Sequence, residues 1–435
     1  MKKVLIITYY WPPAGGPGIQ RVLKMVRHLP AQGWQPVILT VADGDYPAID
    51  EGLVARIPDN CPVYRTPILE PYHLYRKLTG KARGEKLPTY ILNPHKDDSL
   101  KDKLAKWVRA KLFIPDARIG WIPYAVKGGK RAIREENIDL IFSTSPPHTV
   151  QLIAKKLAAK SGLPWVADFR DPWSEAFWVA ELQQEGLVKK INLALEKSVL
   201  RRADAVVTVS AGIADLLKAK APNRYEIIQN GFETIEAGQE KTERFMILFF
   251  GHLNKYQNWE SLFRALRRLP EALRSRIDIV FVGKVFEGFR AAFETYHDLN
   301  IQQKPYMAYR EMMAFARRAA LLFRPLSSMS YAASGIGAKT YDYLALRKPV
   351  LAIGPRPSVM QQVLEETGSG EIFRAEAVEQ IAQFIERHFR QWERPGFLSL
   401  PDDARLDPYR TAHNVAQLAG LFDELLAQKG GGGAR

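Results

Sequence analysis

The chain has 435 residues, more than one ordinary hydrophobic core holds, so two domains are expected. Its 46% hydrophobic and 25% charged content fits a soluble globular protein and excludes a disordered chain, and no apolar run approaches the roughly 20 residues that span a bilayer. A net charge of +15 implies an anionic partner; with no helix-turn-helix, zinc-finger or RNA-binding signature, nucleic acid is set aside, leaving anionic substrates, an acidic membrane face, or simply a basic, soluble surface.

The single cysteine, Cys61, excludes an internal disulfide framework and suits a reducing compartment. The basic start and short apolar run at the N-terminus lack the length and cleavage site of a secretory signal, and Trp11-Pro12-Pro13 interrupts them. A cytoplasmic protein is expected, with peripheral attachment to the inner face of the cell membrane left open.

Lys3 to Thr8 reads as a first strand, and Tyr9 to Gly18 as a loop. Ile19, Val22, Leu23, Val26 and Leu29 then recur on one helical face. Strand, glycine loop and helix open a Rossmann-like unit, but Gly15, Gly16 and Gly18 do not make G-x-G-x-x-G. The loop is read instead as a close backbone approach to a ligand at a strand's carboxyl end. Pro36 to Val41 and Pro62 to Thr66 are the next strands. From there to Ile138 the pattern is irregular, and Lys81 to Asp98 reads as loop. Leu100 to Ile114 sets Leu100, Leu104, Trp107, Val108 and Leu112 on one face among lysines and an arginine. Such a helix suits a membrane surface, and suits rather better a helix docked on its own domain with a charged outer side.

Strands follow at Ile138 to Ser143, Pro164 to Asp168, Asp204 to Ser210 and Tyr225 to Gln229, each ending in a polar loop. These loops hold His148, Asp168, Arg170 and Asp171. In open parallel sheets the carboxyl-end loops carry the site. Asp168 and Asp171 are candidates to orient a substrate, and strand-end turn or capping roles fit them as well. Thr234 to Arg244 is polar and reads as a linker. A second series of strands and helices begins at Phe245 and includes strands Ile277 to Val282 and Ala320 to Phe323 and helical stretches near Trp259 to Leu269, Glu311 to Arg318, Ala375 to Phe389 and Thr411 to Leu426.

Ser334 to Gly354 joins a glycine-rich entry, a short helix and a buried strand, Val350 to Ile353. A helix entered through Gly335, Ile336 and Gly337 exposes unpaired backbone N–H groups and the positive end of the helix dipole, which suits a diphosphate. Lys339 adds a full charge, and Asp342 could accept hydrogen bonds from vicinal ribose hydroxyls. An ordinary αβ turn with a solvated lysine and aspartate fits the same residues.

The joint order of these blocks, YYWPPAGGPGIQRVLK, STSPPHTVQLIA, PWVADFRDPW, QNGF, FFGHLNKYQNWESLFRAL and GAKTYDYLALRKPVLA, resembles the retaining, nucleotide-sugar-dependent glycosyltransferases of family 4, also called group 1. The resemblance spans nearly the whole chain. It implies the GT-B fold: two Rossmann-like parallel-sheet α/β domains facing each other across a cleft. The expected parts are an acceptor-side domain at 1–233, a linker at 234–244, a nucleotide-sugar domain at 245–408, a C-terminal helix at 409–429 free to return to the first domain, and a flexible tail at 430–435. The implied donor is a nucleotide-diphosphate sugar, a co-substrate rather than a cofactor. The implied acceptor is a saccharide or lipid-linked sugar, in cell-surface polysaccharide synthesis, with no metal required.

By the same resemblance, Gly15 and Gly16 approach the transferred sugar, Gly335, Ile336 and Gly337 face the diphosphate with Lys339 and Thr340 beside them, and Asp342 stands where the family has a ribose-holding glutamate. Lys284, Pro305 and Tyr306 sit in the loops that frame the base. Ser334 occupies the place of the family's other glutamate. His252 and Gln257 stand in place of an arginine and a lysine, leaving Lys255 as the nearest cation. Arg170-Asp171 falls where many members have His-Asp. Asp168, Arg170, Asp171 and Lys255 are therefore the catalytic candidates. A nucleotide-sugar epimerase on the same fold and a non-catalytic sugar or polyanion binder remain as other readings.

Overall fold

The computed structural model describes residues 1–46, 48–69, 114–175, 186–235, 240–327, 333 and 336–431. The basic helix expected over Leu100 to Ile114, except Ile114 itself, the loop at Lys81 to Asp98, and Ser334 and Gly335 lie outside them. So do 236–239 of the expected linker and 432–435 of the expected tail. The chain divides into two compact units, Met1–Asn230 with Thr411–Arg435, and Gly231–Arg410.

In the first unit the elements run β1 (Lys2–Ile7), α1 (Pro17–His28), β2 (Trp34–Val41), β3 (Val63–Thr66), α2 (Ile122–Glu136), β4 (Leu140–Ser145), α3 (Thr149–Ser161), β5 (Trp165–Phe169), α4 (Leu187–Arg202), β6 (Ala205–Thr208), α5 (Ala211–Lys218) and β7 (Tyr225–Ile227). All seven strands are parallel, in the order β3-β2-β1-β4-β5-β6-β7. The order reverses between β1 and β4, where ligands of doubly wound sheets bind. Both faces are covered, so the strands are apolar runs rather than alternating ones. Val4, Ile6 and Phe142 face α1 and the last helix of the chain; Leu5, Ile7 and Ile141 face α2, α3 and α4.

α2 falls where the sequence looked irregular. Its Gly128-Gly129 pair reads as a helix breaker, yet these glycines are where the helix comes closest to its neighbours. A Cβ on Gly129 would lie 2.5 Å from Leu157 Cδ1, and one on Gly128 2.4 Å from Thr66 Cγ2. The propensity cost of about 1 kcal/mol per glycine is outweighed by tight packing.

The second unit runs β8 (Phe245–Phe250), α6 (Glu260–Leu266), α7 (Glu271–Arg274), β9 (Ile277–Val282), α8 (Arg290–Glu294), β10 (Asn300–Lys304), α9 (Tyr309–Ala316), β11 (Leu321–Pro325), α10 (Ala338–Leu346), β12 (Val350–Ile353), α11 (Val359–Thr367), β13 (Gly370–Phe373) and α12 (Val378–Glu393). Six parallel strands lie in the order β10-β9-β8-β11-β12-β13, with the switch between β8 and β11. α6 and α12 cover one face, α9, α10 and α11 the other. β10 was not foreseen, because Asn300-Ile301-Gln302-Gln303-Lys304 is a polar edge strand that its pairing with β9 alone reveals.

α13 (Thr411–Gly431) closes the chain and continues through Gly430 and Gly431, where a glycine-rich tail was expected. It packs on α1 and the first sheet. Phe422 is fully buried, edge-on to Trp34 at 5.2 Å and to Phe142 at 5.7 Å, and Trp34 Nε1 donates to Asp423 Oδ1 at 2.9 Å. Phe422→Ala should destabilise the first unit by about 3–5 kcal/mol, read as a lower denaturant midpoint; an unchanged midpoint would show that the helix is not part of this core.

Candidate functional site

The second unit gathers its cations at the carboxyl end of β8, β9 and β11. Gly251 and Gly283 follow β8 and β9 directly, both at φ +110°, a region costly for any residue with a Cβ. A Cβ on Gly283 would lie 2.6 Å from the Gly251 carbonyl oxygen, and one on Gly251 2.3 Å from Lys339 Nζ. The bare backbone at these turns thus leaves room for the lysine. Lys339 reaches from the first turn of α10 and holds its ammonium over the Phe249 ring, 4.8 Å from the centroid. Burial, with Arg324 adding repulsion and Asp342 opposing it, lowers its pKa to about 7.

Arg324, in β11, points at the same helix start. It is 8% exposed. Nη2 donates to the Ile336 carbonyl at 3.2 Å, Nη1 to Pro325 at 3.3 Å, and Nε is buried with no partner. No carboxylate pairs with it among the described residues. A guanidinium keeps its proton even where burial pushes its pKa down, so this is an uncompensated buried charge, a costly arrangement unless an anion completes it. Gly337, the N-cap, has φ +67° and no side chain caps the helix; a Cβ there would lie 2.7 Å from Arg324 Nη2. The start of the helix, without a side-chain cap among the described residues, and two cations therefore converge.

The other candidates fall around this centre in different ways. His252 and Lys284 are exposed on the β8 and β9 turns, and burial, then Lys284 and Lys339, lowers the His252 pKa. Asp342 is partly exposed and accepts from Tyr309 Oη at 2.8 Å. Tyr306 is 80% exposed beyond β10. Thr340 is fully buried; its hydroxyl donates to the Ile336 carbonyl at 2.5 Å and lies 3.7 Å from Met360 Sδ, so it braces the helix start rather than facing a ligand. The Ile336 side chain is likewise buried, and its carbonyl receives both Thr340 and Arg324. Lys255 is exposed, with Nζ 4.9 Å from the Tyr256 ring centroid. Gln257 ties the same loop to β11 through the Pro325 carbonyl at 2.8 Å. Gly335 lies outside the described residues.

In the first unit most of the candidate charges hold the loops together. Asp168 is fully buried and accepts from Arg21 Nε at 3.2 Å and Nη2 at 2.9 Å, and from Thr144 Oγ1 at 2.6 Å. Arg21 also donates to the Ile228 and Gln229 carbonyls and to Asn230 Oδ1. Asp168 thus joins α1, β4, β5 and the segment after β7, with no side open to substrate. Arg170 donates to the carbonyls of Gly18, Ser145 (3.1 Å) and Pro146 (2.7 Å), clamping the start of α1 to the β4 loop. Gly15 N–H is bonded to the Ala48 carbonyl at 2.8 Å, while Gly16, at φ +98°, forms the uncapped entry to α1.

Asp171 differs from these. It is partly exposed, makes no hydrogen bond among the described residues, and burial raises its pKa against the pull of Arg170. Nearby, His148 stacks on Trp173 at 4.8 Å with 6° between planes; both its ring nitrogens are buried without partners, and burial lowers its pKa to about 3, so it is neutral. Arg21 and Arg324 were absent from the candidates. The readable signal for Arg324 is an arginine inside the apolar run Leu321-Leu322-Phe323-Arg324-Pro325-Leu326.

Gly283→Ala should cost about 1–3 kcal/mol of stability, from the strained φ and the clash with the Gly251 carbonyl, and should displace Lys339. A variant as stable as the parent would show that the two turns are not in contact.

Residues 15–231 match the model of the glycosyl transferase 4-like domain, and residues 231–396 that of the glycosyl transferases group 1. No curated protein matches the chain. Among solved structures it is similar to a glycosyltransferase from Rickettsia africae (TM-score 0.58, 12% identity, covering 98% of each chain) and to sucrose-phosphate synthase from Thermosynechococcus elongatus (0.57, 15%, 99% of this chain and 98% of that one). It is also similar to Anabaena HepE in complex with UDP-glucose (0.51, 13%, 99% of each). These likenesses show the GT-B fold. With the two domain models spanning residues 15–396, the chain belongs to the glycosyltransferases built from this domain pair.

Proposed function

We propose that the protein transfers a hexosyl group from a nucleoside-diphosphate sugar to a saccharide or lipid-linked acceptor, with retention of anomeric configuration and without a metal, in the synthesis of a cell-surface polysaccharide. The observation that carries this reading is the pair Arg324 and Lys339, brought to the uncapped start of α10 with no ion pair among the described residues. A diphosphate supplies the missing negative charge. The complex of the Anabaena protein with UDP-glucose supports a nucleotide sugar as the donor.

A nucleoside diphosphate is already a good leaving group, so the protein's task is to stabilise the charge that grows on it as the glycosidic bond breaks. Fixed donors in a poorly hydrated site do this well. Arg324 Nε, Lys339 Nζ and the first N–H groups of α10 take that role, with Lys284 adding positive potential. Asp342, held by Tyr309, accepts from the ribose hydroxyls. Retention follows if the acceptor hydroxyl attacks on the leaving-group side and passes its proton to the departing phosphate oxygen. Asp171 is the carboxylate open to a sugar hydroxyl; Asp168 and Arg170 keep its loop in place.

Arg324→Gln and Lys339→Met should each lower transfer by about 100-fold with the fold retained. Unchanged turnover in both would reject the site. Binding with no transfer to any acceptor would favour a non-catalytic binder, and isomerised donor an epimerase.

A pH dependence follows from the lowered Lys339 pKa. Below about 7 the free protein already carries the ammonium. Above it, binding the diphosphate requires taking up a proton, because the bound anion favours the charged form. Affinity for a nucleoside-diphosphate sugar should be flat below this pH and fall by up to ~10-fold per unit above it. Calorimetric titrations should show this slope in the parent and not in Lys339→Met; equal slopes would remove Lys339 from the diphosphate site.

A further inference from the structure

The first unit carries a second, unrelated cationic feature. α2, α3 and α4 form one layer on the sheet face that holds Leu5, Ile7 and Ile141. Lys155 Nζ donates to Ser198 Oγ at 2.8 Å, tying α3 to α4 side by side. These two helices expose Lys156, Lys160, Lys189, Lys190, Arg201 and Arg202. None of the six is in an ion pair among the described residues. α3 contains no acidic residue, and the single one in α4, Glu196, is fully buried and paired with Lys220 at 2.7 Å. Among the described residues, α3 and α4 therefore show solvent positive charge with no exposed acidic residue of their own to offset it.

Two large apolar side chains stand in this field. Leu187 is 72% exposed and Ile191 is 37% exposed. They lie four residues apart, with Lys190 beside them, on the face of α4 that also carries Arg201. Cations flanking exposed aliphatic groups on a helix lying along a surface are what an anionic bilayer accepts: the cations meet headgroup phosphates and the aliphatic groups enter the acyl boundary. A nucleic acid would meet the same charge but offers no apolar layer for Leu187 and Ile191.

We propose that the outer side of α3 and α4 is a docking surface for an anionic lipid bilayer. It uses no residue of the transfer site and stands whether or not that assignment holds.

The test is co-sedimentation of the full chain with vesicles of phosphatidylcholine alone and of phosphatidylcholine mixed equally with phosphatidylglycerol. The parent should bind the anionic vesicles only. Reversal of Lys156, Lys160, Lys189 and Lys190 to glutamate should lower that binding at least tenfold, as should the milder exchange of all four to alanine if the reversed variant folds poorly. Leu187→Ser with Ile191→Ser should leave low-salt binding but make it lost at high salt, where the parent is still retained. Binding of nucleoside-diphosphate sugar should be unchanged in every variant. Equal sedimentation of the parent and the charge variants would overturn the proposal. So would loss of vesicle binding in favour of duplex DNA, or serine variants that behave as the parent does at high salt.

Discussion

A positive charge without a negative one, buried at the start of a helix, is the constraint from which the second unit's chemistry follows. Arg324 comes from the strand next to the topological switch, and α10 presents its N-terminal backbone groups to the same place. Charge, dipole and unpaired N–H groups all have one sign there. Removing water from such a cluster is unfavourable until an anion arrives, which is why the proposed function places there the diphosphate that leaves during transfer. The glycine turns after β8 and β9 belong to the same design. Side chains on Gly251 or Gly283 would fill the space that Lys339 occupies or push the turns apart.

The first unit treats its charges differently. Arg21 with Asp168, and Arg170 with three carbonyls, convert strand-end loops into a rigid frame. Near a site, an ion pair with every oxygen occupied is a scaffold, and the residues left with unmet potential are the ones to weigh for chemistry. Asp171 has that character, and so does His148, whose neutral ring lies flat on Trp173 with both nitrogens unbonded. The neighbouring Lys220–Glu196 pair and the bond from Ser174 to Glu196 hold the Trp173 loop against α4.

Much of this was legible in the sequence because parallel strands covered on both faces are continuous apolar runs. Ile277–Val282 and Val350–Ile353 were bounded as the structure has them, and two parallel-sheet α/β domains were expected. Departures came where context outweighed local pattern. Gly128-Gly129 hid α2 because the benefit of close packing is not a local property, and β10 is polar because it lies at an edge. The site was read from its loops, which placed Lys339 and Asp342 at α10. It was not read from the strand, which was ended at Phe323, one residue short of Arg324. Lys255 was named as the nearest cation in the sequence; Arg324, whose charge repels Lys339, comes from β11.

The most direct measurement is a crystal structure of the chain with a nucleoside diphosphate bound. The diphosphate should sit at the start of α10, with an oxygen accepting from Arg324 Nε and another from Lys339 Nζ. A diphosphate bound elsewhere, with Arg324 Nε still buried and unbonded, would contradict the proposed role of this pair.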